Sequence, residues 1–322
     1  MKAIQITETG GADVLKFRDL DTPTPVAGQA LIEVKAAGIN FIDIYFREGR
    51  YPSPLPFVPG QEGAGVVVAL GDNVSSVRVG EHVAWCGVQG AYAQYAVVPE
   101  SRLVRMPDSM TPQQAASVML QGMTAHYLAH STYALKSGDT ALIHAGAGGV
   151  GLLLTQVAKM LGAYVITTVS TREKAHLSRA AGADHVVLYS ETDFAAQARS
   201  LTDGLGVDVV YDSVGKTTFE QSLEALKPRG MLVLFGGASG VVPPFDLARL
   251  STMGSLYVTR PTLASYTASR AELEWRAADV LRWVEAGKLK LRTEHVYPLA
   301  DAALAQRAIE GRKTTGKVLL IP

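Results

Sequence analysis

The chain has 322 residues, 48% hydrophobic and 19% charged, a length for roughly two domains and a composition that excludes disordered and fibrous classes. Lys plus Arg and Asp plus Glu both number 30, so no net field draws the protein to nucleic acid or an anionic membrane surface. A single cysteine, Cys86, excludes intrachain disulfides and thiolate metal clusters. The start, MKAIQITETG, has the form of neither a secretory signal nor a transit peptide, and no apolar run reaches the length a bilayer needs. The expected location is the cytoplasm.

In chain order, the first third reads as short β segments divided by Gly and Pro: KAIQIT, ALIEVKAAGI, AGVVVALG, HVAWCG and YAQYAVV. This pattern predicts an antiparallel, barrel-like domain, with the Pro-rich stretch Tyr51–Gly60 as an ordered loop. Past Pro112 the period becomes helical through QQAASVMLQGMTAHYLAHS. Strands and helices then alternate, the candidate strands being TALIHA, YVITTV, HVVLY, VDVVYD, MLVLFG and SLYVT. Each is an apolar run without clean polar alternation, as parallel strands covered on both faces require. Such strands with intervening helices fit an α/β, doubly wound parallel sheet. After Pro261 comes a helical stretch and a terminal apolar strand, whose simplest placement is back on the first domain. The expected domains are thus 1–123 with 261–322, and 124–260. As the last sheet strand, SLYVT would be an exposed apolar edge in a monomer, which predicts a homodimer.

The strand TALIHA runs into Gly146-Ala147-Gly148-Gly149-Val150-Gly151 and then a helical segment, LLLTQVAKMLG. G-x-G-x-x-G between a strand and a helix is the dinucleotide fingerprint. The first Gly permits the tight turn, the second lets backbone approach a pyrophosphate, and the third allows close helix–strand packing. NAD enzymes place Asp or Glu at the end of the second strand to bind the ribose hydroxyls. Here that strand runs into Ser170, Thr171, Arg172, Glu173 and Lys174. Hydroxyls and two cations suit a phosphate dianion, so the expected cofactor is NADP(H). Ser170 and Glu173 also have the spacing of a capping box, and a capped helix start is itself an anion site.

Tyr189, ending the third strand, either flanks the same pocket or is an ordinary strand aromatic. Loops at the carboxyl ends of later strands should line the cofactor crevice: Ser213-Val214-Gly215, and Phe235, Gly236, Gly237 and Ser239. Asp212 beside them reads equally as a turn residue or a catalytic one. His126, His130, His144 and His185 lack metal spacing and read as satisfied or solvated, so no metal site is expected.

The ordered blocks GINFID, YPSPLPFVPGQEGAGVV, GAYAQY, LQGMTAHYL, HAGAGGVGLLLTQVAK, VVYDSVGKTTFEQSL, GSLYVTRP and TTGKVLL span nearly the whole chain. They resemble the medium-chain dehydrogenase/reductase superfamily, and within it the zinc-free quinone oxidoreductase (ζ-crystallin-like) group. The resemblance implies a GroES-like first domain, a Rossmann second domain and an active site in the cleft between them. Zinc-dependent members carry Cys and His where this chain has Asn40 and Gln61.

In related reductases the loop from Asn40 to Tyr51 faces the nicotinamide. The resemblance therefore implies Asn40, Asp43, Tyr45 and Tyr51 as pocket residues, with Phe41, Ile42, Thr124, Tyr127, Arg260 and Arg312 on the cofactor side. Asn40 and the tyrosines are expected to donate to quinone oxygens, core packing being the alternative for each tyrosine.

The expected activity is zinc-independent hydride transfer from NADPH to quinones. The alternatives are an NADPH-dependent alkenal or enone double-bond reductase, and an NADPH-binding structural or RNA-binding protein. The neutral charge balance argues against nucleic acid, and nothing calls for a membrane partner.

Overall fold

The computed structural model describes residues 1–322 throughout. The chain divides into two compact units, Met1–Met123 with Thr267–Pro322, and Thr124–Tyr266. No helix is long and apolar enough to cross a membrane.

The first unit opens with β1 (Lys2–Gln5) paired antiparallel to β2 (Lys16–Asp19). Every residue of β2, KFRD, is exposed, so it carries none of the apolar alternation that marks a strand in sequence. Next come β3 (Gln29–Ile39), helix α1 (Phe41–Arg47), β4 (Glu62–Leu70), β5 (His82–Cys86), β6 (Tyr95–Pro99) and β7 (Val104–Arg105). Helix α2 (Pro112–Tyr127) contains the first junction between the units.

The second unit holds β8 (Thr140–Ile143), α3 (Gly149–Met160), β9 (Tyr164–Val169), α4 (Arg172–Ala180), β10 (His185–Leu188) and α5 (Phe194–Ser200). It continues with β11 (Val207–Asp212), α6 (Phe219–Glu224), β12 (Leu226–Leu234), α7 (Ala248–Thr252), β13 (Tyr257–Thr259) and α8 (Leu263–Tyr266). The six strands are all parallel, in the order β10-β9-β8-β11-β12-β13. The chain winds outward from β8 through β10, then returns to the other side of β8 to lay down β11. The switch between β8 and β11 is where such sheets bind ligands, at the carboxyl ends of the strands. Leu142, Ile166, Val210 and Leu232 form the buried centre of the sheet, which explains why its strands read as continuous apolar runs.

The chain then returns to the first unit with α9 (Arg270–Glu285), β14 (His295–Pro298), α10 (Ala302–Glu310) and β15 (Val318–Ile321). The terminal strand β15 pairs antiparallel with β3 at Ala37–Ile39. Strand β3 also pairs β4 along one side and β6 at Gln29–Glu33, with register shifts that bend it between these partners. The resulting seven-stranded sheet wraps a core around Ile32, Val67, Trp85, Tyr92, Val98 and Leu320.

Candidate active site

In the second unit the glycine-rich turn between β8 and α3 differs in one detail from the sequence expectation. The left-handed residue is Ala145, with φ 53°, not Gly146. Gly146 is required for close packing instead: a Cβ there would lie 2.6 Å from Thr167 Cβ on β9 and 2.8 Å from Ser178 Oγ on α4. Gly151 seats the first turn of α3 on the loop, because a Cβ would overlap the Ala145 carbonyl oxygen. Gly148 is the N-cap of α3, and beyond Ala145 nothing approaches its Cβ position within 4 Å. The first intrahelical bond is from Leu152 N–H to the Gly148 carbonyl. The N–H groups of Gly149, Val150 and Gly151 therefore precede the helical ladder, as a pyrophosphate cradle needs.

At the end of β9 the cap of α4 is Thr171, whose Oγ1 accepts the Lys174 N–H at 3.3 Å. This corrects the Ser170–Glu173 capping box by one position. Thr171 and Arg172 are exposed at the helix start, and Ser170 and Lys174 are half-buried. Tyr189 follows β10 beside them with 42% of its surface exposed, so it is not a core strand aromatic.

Asp212 ends β11 and is fully buried. Its Oδ1 accepts the N–H groups of Val214 (2.7 Å) and Gly215 (3.0 Å); its Oδ2 accepts the hydroxyls of Thr218 (2.7 Å) and Ser222 (3.1 Å). With both oxygens engaged, Asp212 is a turn residue, which decides between its two readings. Ser239 Oγ donates to the Val214 carbonyl at 2.8 Å, and a Cβ on Gly236 would meet the Ser213 carbonyl at 2.5 Å. Val214, Phe235, Gly236, Gly237 and Ser239 thus belong to two loops packed on each other at the carboxyl edge. Arg260 lies on the same edge, donating to the Leu234 carbonyl at 3.0 Å. Thr124 and Tyr127 are buried, the Tyr127 ring stacked on Tyr266 with centroids 4.4 Å apart.

In the first unit Asn40 caps α1, and its environment overturns the expectation that it donates to a substrate oxygen. Its Nδ2 donates to the Gly38 carbonyl (3.2 Å) and Glu62 Oε2 (2.8 Å). Its Oδ1 accepts from Gln121 Nε2 (3.1 Å) and Lys317 Nζ (3.0 Å). An asparagine amide has two N–H donors and two acceptor lone pairs, and all four are used. The amide orientation is unambiguous, because Lys317 only donates and Glu62 only accepts.

Lys317 and Glu62 form an ion pair with 2% and 0% of their side chains exposed. The second Glu62 oxygen accepts the Leu120 N–H of α2 at 2.7 Å. Gly38 makes room for the pair, since a Cβ there would lie 2.5 Å from Glu62 Oε2 and 2.6 Å from Lys317 Cε. Glu62, Gln121 and Lys317 escaped the sequence reading. Their one signal is a lone polar or charged residue bordering an apolar run, as in EGAGVVVAL and KVLLI.

Asp43 is also buried, accepting from Asn40 N–H (2.9 Å), Gln61 N–H (3.1 Å) and the Tyr92 hydroxyl (2.8 Å). Burial pushes its carboxyl up from 3.8 to about 6, against the opposing pull of these hydrogen bonds and of Lys317. A carboxyl with a raised folded value stabilises the fold most below its unfolded value and loses that contribution as pH rises. Asp43 should therefore make the protein progressively less stable between 3.8 and about 6, and no further above that. Unfolding midpoints measured across this window should fall more steeply in the unaltered protein than in Asp43→Asn. Parallel slopes would contradict the assignment.

Of the two tyrosines on this segment, Tyr45 is mostly buried and meets Tyr51 edge-on at 5.5 Å, while Tyr51 is 36% exposed. Arg47 is a core residue, held by Gln306 (2.8 Å), Glu310 (2.8 Å) and the Gly10 carbonyl (3.0 Å). Phe41 and Ile42 are half-buried, and Arg312 is exposed in the turn before β15.

Residues 26–108 match the model of the alcohol dehydrogenase GroES-like domain, and residues 149–281 that of the zinc-binding dehydrogenase. A GroES-like unit joined to a dinucleotide-binding sheet defines a medium-chain dehydrogenase/reductase. The chain is 46% identical to a quinone oxidoreductase of Pseudomonas aeruginosa, over 100% of this chain and 99% of that protein. It is 41% identical to a 2-haloacrylate reductase of a Burkholderia species, over 99% of this chain and 98% of the relative. A quinone oxidoreductase of Escherichia coli, solved in complex with NADPH, superposes with a TM-score of 0.98 at 40% identity, each chain covered completely. The chain belongs to the quinone oxidoreductase family.

Proposed function

We propose that this protein is a cytoplasmic NADPH:quinone oxidoreductase that works without zinc. The observation that carries the reading is the carboxyl edge of the parallel sheet. There the open α3 N-terminus under Gly148 suits a pyrophosphate, and Ser170, Thr171, Arg172 and Lys174 suit a ribose 2′-phosphate. Val214, Phe235, Gly236, Gly237, Ser239 and Arg260 would line the rest of the cofactor path, with Tyr189 beside the ribose. Bound NADPH supplies a hydride to an electron-poor acceptor.

In the first unit, Asn40 and Asp43 hold the start of α1, and the exposed edge of Tyr51 with Tyr45 behind it would flank a flat acceptor. Zinc independence is supported by a fixed cation: the Lys317 ammonium is bonded to both Asn40 and Glu62, where a second cation would be repelled.

The test is NADPH oxidation across benzoquinones, naphthoquinones and activated alkenes, before and after treatment with a chelator. Quinone turnover indifferent to the chelator is expected. Negligible quinone turnover beside good alkenal or haloacrylate turnover would favour the second reading, which the relationship to a 2-haloacrylate reductase supports. Ordinary NADPH-dependent turnover would also dispose of a purely structural or RNA-binding role.

The reading includes a homodimer formed along β13, an edge strand whose Tyr257 is 57% exposed and whose Val258 is also exposed. A solution mass of two chains is expected, and a monomeric mass would refute it.

A further inference from the structure

His144 sits between β8 and Ala145, inside the second unit, and is almost fully buried. Its Nδ1 lies 2.8 Å from Thr168 Oγ1 on β9, and its Nε2 lies 3.0 Å from Ser222 Oγ on α6. Ser222 in turn donates to Asp212 Oδ2 at 3.1 Å. The direction of this chain follows from its last member. A carboxylate only accepts, so the single Ser222 proton goes to Asp212 and the Ser222 oxygen accepts from His144. His144 must then carry its proton on Nε2, leaving Nδ1 to accept the Thr168 hydroxyl. Burial favours the neutral ring by holding the imidazole below its usual value, against the opposing field of Asp212. The edge of Phe194 closes the remaining side, with ring centroids 4.7 Å apart.

Three segments of the carboxyl edge meet in this one chain. His144 leads directly into the glycine-rich turn, where Gly146 N–H donates to the Thr168 carbonyl at 3.0 Å. Thr168 stands two residues before Ser170. Asp212 clamps Val214 and Gly215 through its other oxygen. We propose that His144, as its Nε2–H tautomer, is a positioning residue for the dinucleotide, setting the Val214–Gly215 turn against the glycine-rich turn. The inference rests on the cofactor reading above and adds a residue that touches no ligand.

The test has two arms. Nitrogen NMR of the unaltered protein should find His144 neutral, with the proton on Nε2 at pH 7; a proton on Nδ1 or an imidazolium would overturn the proposal without any substitution. In the second arm, Ser222→Ala and His144→Phe should each raise Kd roughly tenfold for NADPH and NADH alike, the scale of one lost buried hydrogen bond. The ratio between the two nucleotides and kcat at saturation should stay unchanged, and His144→Gln should recover part of the loss. Lowered unfolding temperatures with unmoved Kd values would make the chain merely structural and overturn the proposal. Failure of the unaltered protein to bind NADPH would sink the functional reading itself, an outcome distinct from binding that the variants leave intact.

Discussion

Replacing Arg172 and Lys174 together by Ala is expected to weaken NADPH binding by about 30- to 100-fold, with NADH changed by no more than about threefold. Each cation can make a charge-assisted hydrogen bond to a phosphate, about 1.5–3 kcal/mol apiece where water is excluded. Arg172 is exposed at the start of α4, so its share is discounted for solvent screening. Lys174 is half-buried and should carry more of the loss as a single substitution. The Thr171 cap remains in the double variant, so α4 should keep its start and the fold its stability. Titration calorimetry with both nucleotides, repeated at raised salt, provides the check, because screening should narrow the preference in the unaltered protein. Equal losses for NADPH and NADH would remove the 2′-phosphate from this position.

Lys317→Met should damage the first unit strongly, costing about 3–5 kcal/mol and on the order of 10 °C in unfolding temperature. The reason is what remains behind. Glu62 would stay fully buried with no cation beside it, and with only the Asn40 amide and the Leu120 N–H for company. Asn40 would lose one of its two donors and with it the tie between α1 and β15. Combining Lys317→Met with Glu62→Gln removes both charges while leaving an oxygen for Leu120. The double variant should therefore be more stable than Lys317→Met alone. Additive losses in thermal or urea unfolding would show that the two side chains do not act as a pair.

Arg172 and Lys174 are proposed on a local order: a fingerprint, a strand, then cations where an acidic residue would otherwise stand. These residues lie within one βαβ unit, whose backbone departs from the expected pattern at two positions. Ala145 rather than Gly146 takes the left-handed turn, and Thr171 rather than Ser170 caps α4. Such shifts of one position depend on backbone dihedrals that composition leaves open. Tyr127, placed on the cofactor side by resemblance, is buried with its ring stacked on Tyr266.

Sequence by itself determined the parallel sheet, the glycine-rich turn that opens its first helix, and the strands of the first third. Each of these follows from patterns within a dozen or so residues, where hydrophobic period and glycine spacing act locally. Tertiary structure alone decided which polar side chains are free to meet a ligand. Asn40 is expected from its motif to donate to a ligand, but Lys317, 277 positions away, takes its oxygen, and Glu62 takes its amide proton. The order of residues suits Asp212 equally to catalysis or to a turn, and Ser222 and Thr218 on its carboxylate make it a turn residue. A buried polar group must be satisfied by whatever the fold brings beside it, and that partner is chosen by packing rather than by proximity in the chain.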